Sequence, residues 1–208
     1  MGALFEPLIL FFVLFLSGSS GNSAEAVSVT WTGELHRILM FNIPALALIL
    51  LFASRSQGFK WSKIKPGKSD LISAAFAGPG LLLISLTITL VSPYFQGLPP
   101  VPGISMPSGL LNRLLLFFSC VATGYLEETF FRFYLLNKFE QMNLGKTASI
   151  LVSAMLFSVC HIYEGPWGVL NAALSGILLS FIFLHYRSLH GIALSHSLYN
   201  FIAYIIGG

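Results

Sequence analysis

The chain is a near-continuous series of apolar stretches, each about as long as a bilayer is thick, and this restricts its fold more than any other feature. A helix needs ~20 mostly apolar residues to cross the hydrocarbon core. Stretches of that kind fall at 3–18, 37–54, 70–92, 110–136, 147–163, 169–186 and 191–207. The expected fold is therefore all-α, a polytopic integral membrane bundle of about seven transmembrane helices within a range of six to eight. Composition agrees: 55% of the 208 residues are hydrophobic and 9% are charged, against about a quarter charged in soluble domains. The whole of 1–208 reads as one membrane-embedded domain without internal repeats.

The formal net charge of +3 does not describe a nucleic-acid footprint, because the densest basic group lies between two apolar stretches. Nucleic acid is not expected as a partner; the bilayer is. Cys120 and Cys160 sit inside apolar stretches without metal-type spacing and read as buried thiols.

Connections are marked by turn chemistry at 18–22, 55–70, 93–109 and 164–168, the third carrying Pro99-Pro100 and Pro102-Gly103. Loops rich in Lys and Arg stay cytoplasmic. Arg55, Lys60, Lys63, Lys65, Lys68, Arg132, Lys138, Lys146 and Arg187 fall on one side, Arg37 and Arg113 on the other. That places the N-terminus in the cytoplasm and, for seven spans, the C-terminus outside, in the cell (inner) membrane. The first stretch imitates a signal peptide, with small residues after Leu16. It has no Lys or Arg and carries Glu6, so a retained helix is preferred over cleavage.

Ionisable residues inside a span cost roughly 2.5 kcal/mol or more at its centre and are functional candidates by default. The fourth stretch holds Glu127-Glu128 and Arg132, the fifth ends on Phe157-Ser-Val-Cys-His161, and the last holds His196 and Asn200. Glu128 and Arg132, four apart, share a helix face and can neutralise one another. Glu127 points about 100° away and lacks that partner. A desolvated carboxylate without a cation suits a general base. His196 and Asn200 also share a face, and helix rise puts Glu127, His161, His196 and Asn200 within ~9–21 Å of the cytoplasmic ends of their spans. All four can then line one cavity. Phe157 reads as packing.

In order, Glu-Glu-x-x-x-Arg, Phe-x-x-x-His and His-x-x-x-Asn on successive membrane helices resemble the CAAX protease and bacteriocin-processing (Abi) family of intramembrane endopeptidases. The resemblance covers about 110–208, leaving 1–109 as generic helices. It implies that Glu127 activates the attacking water with His161 assisting, that Glu128 and Arg132 fix the helix, and that His196 and Asn200 stabilise the oxyanion. It further implies a membrane-associated peptide or lipidated-protein substrate, either a prenylated C-terminal CAAX motif or a leader peptide, and no cofactor. Glu127, His161 and His196 also match the donor types of a catalytic zinc site, although no His-Glu-x-x-His is present. Two other classes fit the polar residues: a non-catalytic membrane scaffold, and a proton-coupled transporter using an unpaired carboxylate. The transporter reading calls for broken helices in paired positions, and only Gly78-Pro79-Gly80 interrupts a span.

Overall fold

The computed structural model describes residues 10–11, 30–56, 64–95 and 108–206. Six helices account for almost all of these: α1 (Trp31–Arg55), α2 (Lys68–Val91), α3 (Leu110–Gln141), α4 (Lys146–Val159), α5 (Gly165–Tyr186) and α6 (Leu189–Ile206). No strand occurs among the described residues. The all-helical membrane bundle is as expected, and α1, α2, α3 and the stretch Ile162–Tyr186 are each long and apolar enough to cross a membrane. Helix α4 is apolar but shorter, and α6 carries the two histidines and Asn200 that dilute its apolarity. Four helices meeting both criteria do not establish a count of about seven. The expected first span, 3–18, lies outside the described residues save for positions 10 and 11.

The exterior is as apolar as the interior. Leu71, Phe76, Leu83 and Leu90 on α2 and Met40 and Ile43 on α1 are each more than half exposed, an arrangement suited to lipid contact. Inside, α3 and α6 run against each other, α6 also packs on α2, and α5 packs on α4 and α2. Small residues permit this closeness, as is usual where helices meet in lipid. A Cβ at Gly124 of α3 would overlap Ser197 Oγ and lie 3.1 Å from both Ala193 O and Ser197 N of α6.

Several local readings are corrected. Of the segment 164–168, expected to be a loop, Glu164 caps α5 and residues 165–168 already belong to it. Gly165 adopts φ +76 and Pro166 occupies the first turn, where its missing N–H costs nothing. The same signal ends α4 early: the helix stops at Val159, and His161 stands on the following turn instead of inside a span. Helix α2 runs unbroken through Pro79. The flanking glycines matter here, since a Cβ at Gly80 would lie 2.6 Å from Leu178 on α5. Arg132, grouped above with loop cations, is fully buried and carries no topological information.

At the end of the bundle opposite His161, Asp70 closes the first turn of α2 by accepting from Gly67 N at 2.7 Å. Its other oxygen accepts from Gly191 N at 3.2 Å and from the Ser188 hydroxyl. His190 Nε2 donates to Ile64 O at 2.6 Å, so its Nδ1 accepts from Tyr125 OH at 3.0 Å. These bonds fix the start of α6 against α2 and α3, and thereby the height at which His196 meets the glutamates.

Candidate active site

Helix α3 changes pitch where its charges lie. It is α-helical to Glu128, and residues Thr129–Leu135 form a π-helical turn before α-geometry resumes. All seven residues of that turn are buried. Phe130, Phe131, Phe133, Tyr134 and Leu135 are all buried, so neighbouring helices cover this turn on every side. Single π-turns of this kind recur at functional sites.

Four ionisable side chains meet at this point. Arg132 Nη1 donates to Glu128 Oε1 at 2.9 Å, with both side chains wholly buried. This is the pair that helical spacing predicts. The same Oε1 accepts from His196 Nδ1 at 2.8 Å. Because a carboxylate only accepts, that bond fixes the hydrogen on Nδ1 and turns Nε2 the other way, to within 3.8 Å of Glu127 Oε2. The separation exceeds hydrogen-bond length, and Glu127 Oε2 is buried with no hydrogen-bond partner among the described residues. Glu127 is one-fifth exposed, whereas Glu128 is fully enclosed. The two adjacent carboxylates therefore differ in kind: Glu128 is held by two hydrogen-bond donors, and Glu127 Oε2 by none among the described residues.

Phe157 supplies the platform. Its ring lies 4.4 Å from the Arg132 guanidinium, 4.5 Å from the His161 ring and 5.9 Å from the His196 ring. A cation over an aromatic face is stabilised by the ring quadrupole, more so away from water. Phe157 packs, as its sequence context suggested, and what it packs is the charged cluster itself. His161 Nδ1 donates to the Phe157 carbonyl at 2.8 Å, which leaves Nε2 with its lone pair. Thus Glu127, Glu128, Arg132 and His196 come together directly, and His161 joins them through Phe157. Among the described residues no hydrogen bond or ion pair joins Glu127 to His161. Asn200 lies one turn beyond His196 on α6, half-buried, and forms no hydrogen bond to the cluster. No group of three or more His, Cys, Asp or Glu side chains among the described residues is placed to hold a metal ion.

The decisive sequence comparison falls on this same part of the chain. Residues 109–202 match the Type II CAAX prenyl endopeptidase Rce1-like family. The Rce1-like stretch spans α3 to α6 and takes in every one of Glu127, Glu128, Arg132, His161, His196 and Asn200. It bears out the resemblance carried by the three motifs. No curated protein and no solved structure matches the chain.

Outside the cluster, sequence reasoning missed a polar row on α3. Ser119, Thr123 and Glu127 are spaced four apart on one helix face. Arg37 donates to Ser119 Oγ from Nε at 3.1 Å and from Nη2 at 2.6 Å, and Asn42 Nδ2 donates to Thr123 Oγ1 at 3.0 Å. Helix α1 is π-helical from Arg37 to Asn42, and a five-residue step in a π-turn returns to one face. That is how both α1 side chains reach α3. The available signal was the polarity of Arg37 and Asn42 within an apolar helix.

Proposed function

We propose that this chain is an intramembrane endopeptidase that hydrolyses a peptide bond of a membrane-associated, prenylated substrate. The observation that supports it best is one imidazole held by a buried carboxylate–guanidinium pair, with its free nitrogen turned toward a second carboxylate whose Oε2 accepts no hydrogen bond among the described residues. Glu127 is the general base. It takes a proton from a water whose oxygen adds to the carbonyl carbon, and the carbonyl π pair moves to oxygen. His196 is held by Glu128 so that Nε2 faces the reacting atoms, where as imidazolium it donates to the developing oxyanion; Asn200, a turn away on the same face, adds its amide N–H. Collapse re-forms the carbonyl and breaks the C–N bond. The proton from Glu127 passes to the departing amine, with the His161 Nε2 lone pair available to relay it. A base and preoriented donors are what hydrolysis by water requires. Arg132 and Phe157 hold Glu128 in place and do not touch the reacting atoms.

The test compares peptide termini in membranes of cells carrying the wild-type protein or Glu127→Gln, which preserves shape and removes the base. The reading expects a set of new termini that is present with the wild type and lost in the variant. Identical termini, with both proteins inserted at equal levels, would overturn it.

A further inference from the structure

Helix α4 meets the π-turn of α3 at two points on one of its faces. Ser153 and Phe157 are four apart and project together. Phe157 faces the Arg132 guanidinium at 4.4 Å, and Ser153 Oγ donates to the Phe131 carbonyl at 3.0 Å. Both Ser153 and Phe131 are fully buried. A serine inside a helix commonly turns its hydroxyl back to a carbonyl of its own helix. Ser158 of α4 does so to Met155 O at 2.8 Å, and Ser197 of α6 to Ala193 O at 2.7 Å. Ser153 instead crosses to another helix, to a residue 22 positions away in the chain.

The carbonyl it meets belongs to the peptide unit whose nitrogen is that of Arg132, and a peptide unit is planar and moves as one. The place of that unit matters because the Arg132 side chain has few other holds. Nη1 donates to Glu128 and the ring of Phe157 faces the guanidinium, while Nε and Nη2 are buried without a hydrogen-bond partner among the described residues. Helix α4 cannot draw back from this contact, since α5 stands behind it: a Cβ on Gly176 would lie 3.0 Å from Ala154 Cα and 3.4 Å from the Phe157 ring. Ser153 forms no hydrogen bond to the side chains of Glu127, Glu128, Arg132 or His196, so any effect on them passes through the backbone of α3. We propose that Ser153 is a positioning residue for the cleavage reaction: by fixing the Phe131–Arg132 peptide unit it sets Arg132 against Glu128, and through Glu128 it orients the His196 imidazole toward Glu127. The kinetic part of this rests on the peptidase reading above; the orientation of His196 does not.

The test uses the full chain in lipid vesicles as wild type, Ser153→Ala and Ser158→Ala. Each variant deletes one buried hydroxyl of α4, but the Ser158 hydroxyl bonds within its own helix. Cleavage of a prenyl-cysteine peptide gives kcat and KM separately. Nitrogen-15 spectra of histidine-labelled protein, assigned against His196→Gln, show which ring nitrogens of His196 carry hydrogen. Ser153→Ala is expected to lower kcat about tenfold, the effect of one buried hydrogen bond, with KM unchanged. It should also replace the single state of His196, with the Nδ1 hydrogen on Glu128, by a mixture. Ser158→Ala should keep both kcat and the wild-type spectrum. A His196 spectrum unchanged in Ser153→Ala, or altered equally in Ser158→Ala, overturns the positioning role. In a wild type that cleaves, so does a kcat unchanged in Ser153→Ala or lowered as much in Ser158→Ala; either result leaves the peptidase reading standing. A His196 spectrum altered only in Ser153→Ala, with no cleavage by the wild type, keeps the orienting role and removes the peptidase reading.

Discussion

Replacing Arg132 by methionine should be among the most damaging single changes available to this chain, and a second substitution should largely repair it. The guanidinium and the Glu128 carboxylate are both fully buried and 2.9 Å apart. Removing one partner leaves an uncompensated charge, a cost of about 3–5 kcal/mol for buried pairs. Loss of the cation from the Phe157 face, 4.4 Å away, adds about 1 kcal/mol. In the double variant Glu128→Gln with Arg132→Met no charge is stranded, and the Gln amide oxygen still accepts from His196 Nδ1. Well-packed apolar replacements of buried pairs are often neutral, so the double variant should lie within about 1–2 kcal/mol of the wild type. Thermal unfolding in a fixed detergent and lipid mixture measures both, read as the midpoint of loss of the monodisperse protein. If Arg132→Met alone melts with the wild type, or if the double variant is no more stable than the single, Glu128 and Arg132 are not the buried pair on which the cluster depends.

Other expectations follow from close approaches and shared bonds. Gly124→Ala should separate α3 from α6, since its methyl overlaps Ser197 Oγ and meets backbone atoms at 3.1 Å; a loss of about 1–3 kcal/mol in the same melting assay is expected, and adding Ser197→Ala should recover part of it. Gly191→Ala places a methyl against the Asp70 carbonyl and the Ser73 hydroxyl and should loosen the α2 contact, seen as faster amide exchange at the start of α6. Tyr199→Phe removes the acceptor of the Asn171 amide at 2.9 Å and should cost about 1–3 kcal/mol of stability.

How far the sequence predicts these features depends on how local their causes are. Apolar length placed α2 and α3 to within a few residues at their starts, and i,i+4 spacing identified Glu128 with Arg132, because both depend on one helix alone. The His196 bond to Glu128 joins residues 68 apart, and the Arg37 bonds to Ser119 join residues 82 apart; nothing local requires either. The π-turn at 129–135 is likewise marked by no local spacing in the sequence. A regular 100° step per residue separates Glu127 from Glu128 correctly but cannot show which carboxylate His196 will choose. His161 is a different case. The Gly165-Pro166 pair marked the end of the helix, and the apolar run from 147 to 163 outweighed it in setting the span.

If Glu127 is the base of a peptidase, its loss and the loss of its neighbour Glu128 should have different effects. Wild-type protein, Glu127→Gln and Glu128→Gln are purified, reconstituted in vesicles and given the same prenyl-cysteine peptide. The wild type should cleave, and Glu127→Gln should lose at least about a hundredfold in kcat/KM with its melting midpoint preserved. Glu128→Gln, which strands Arg132, should lose stability as well. Cleavage by Glu127→Gln at the wild-type rate would show that Glu127 is not the base.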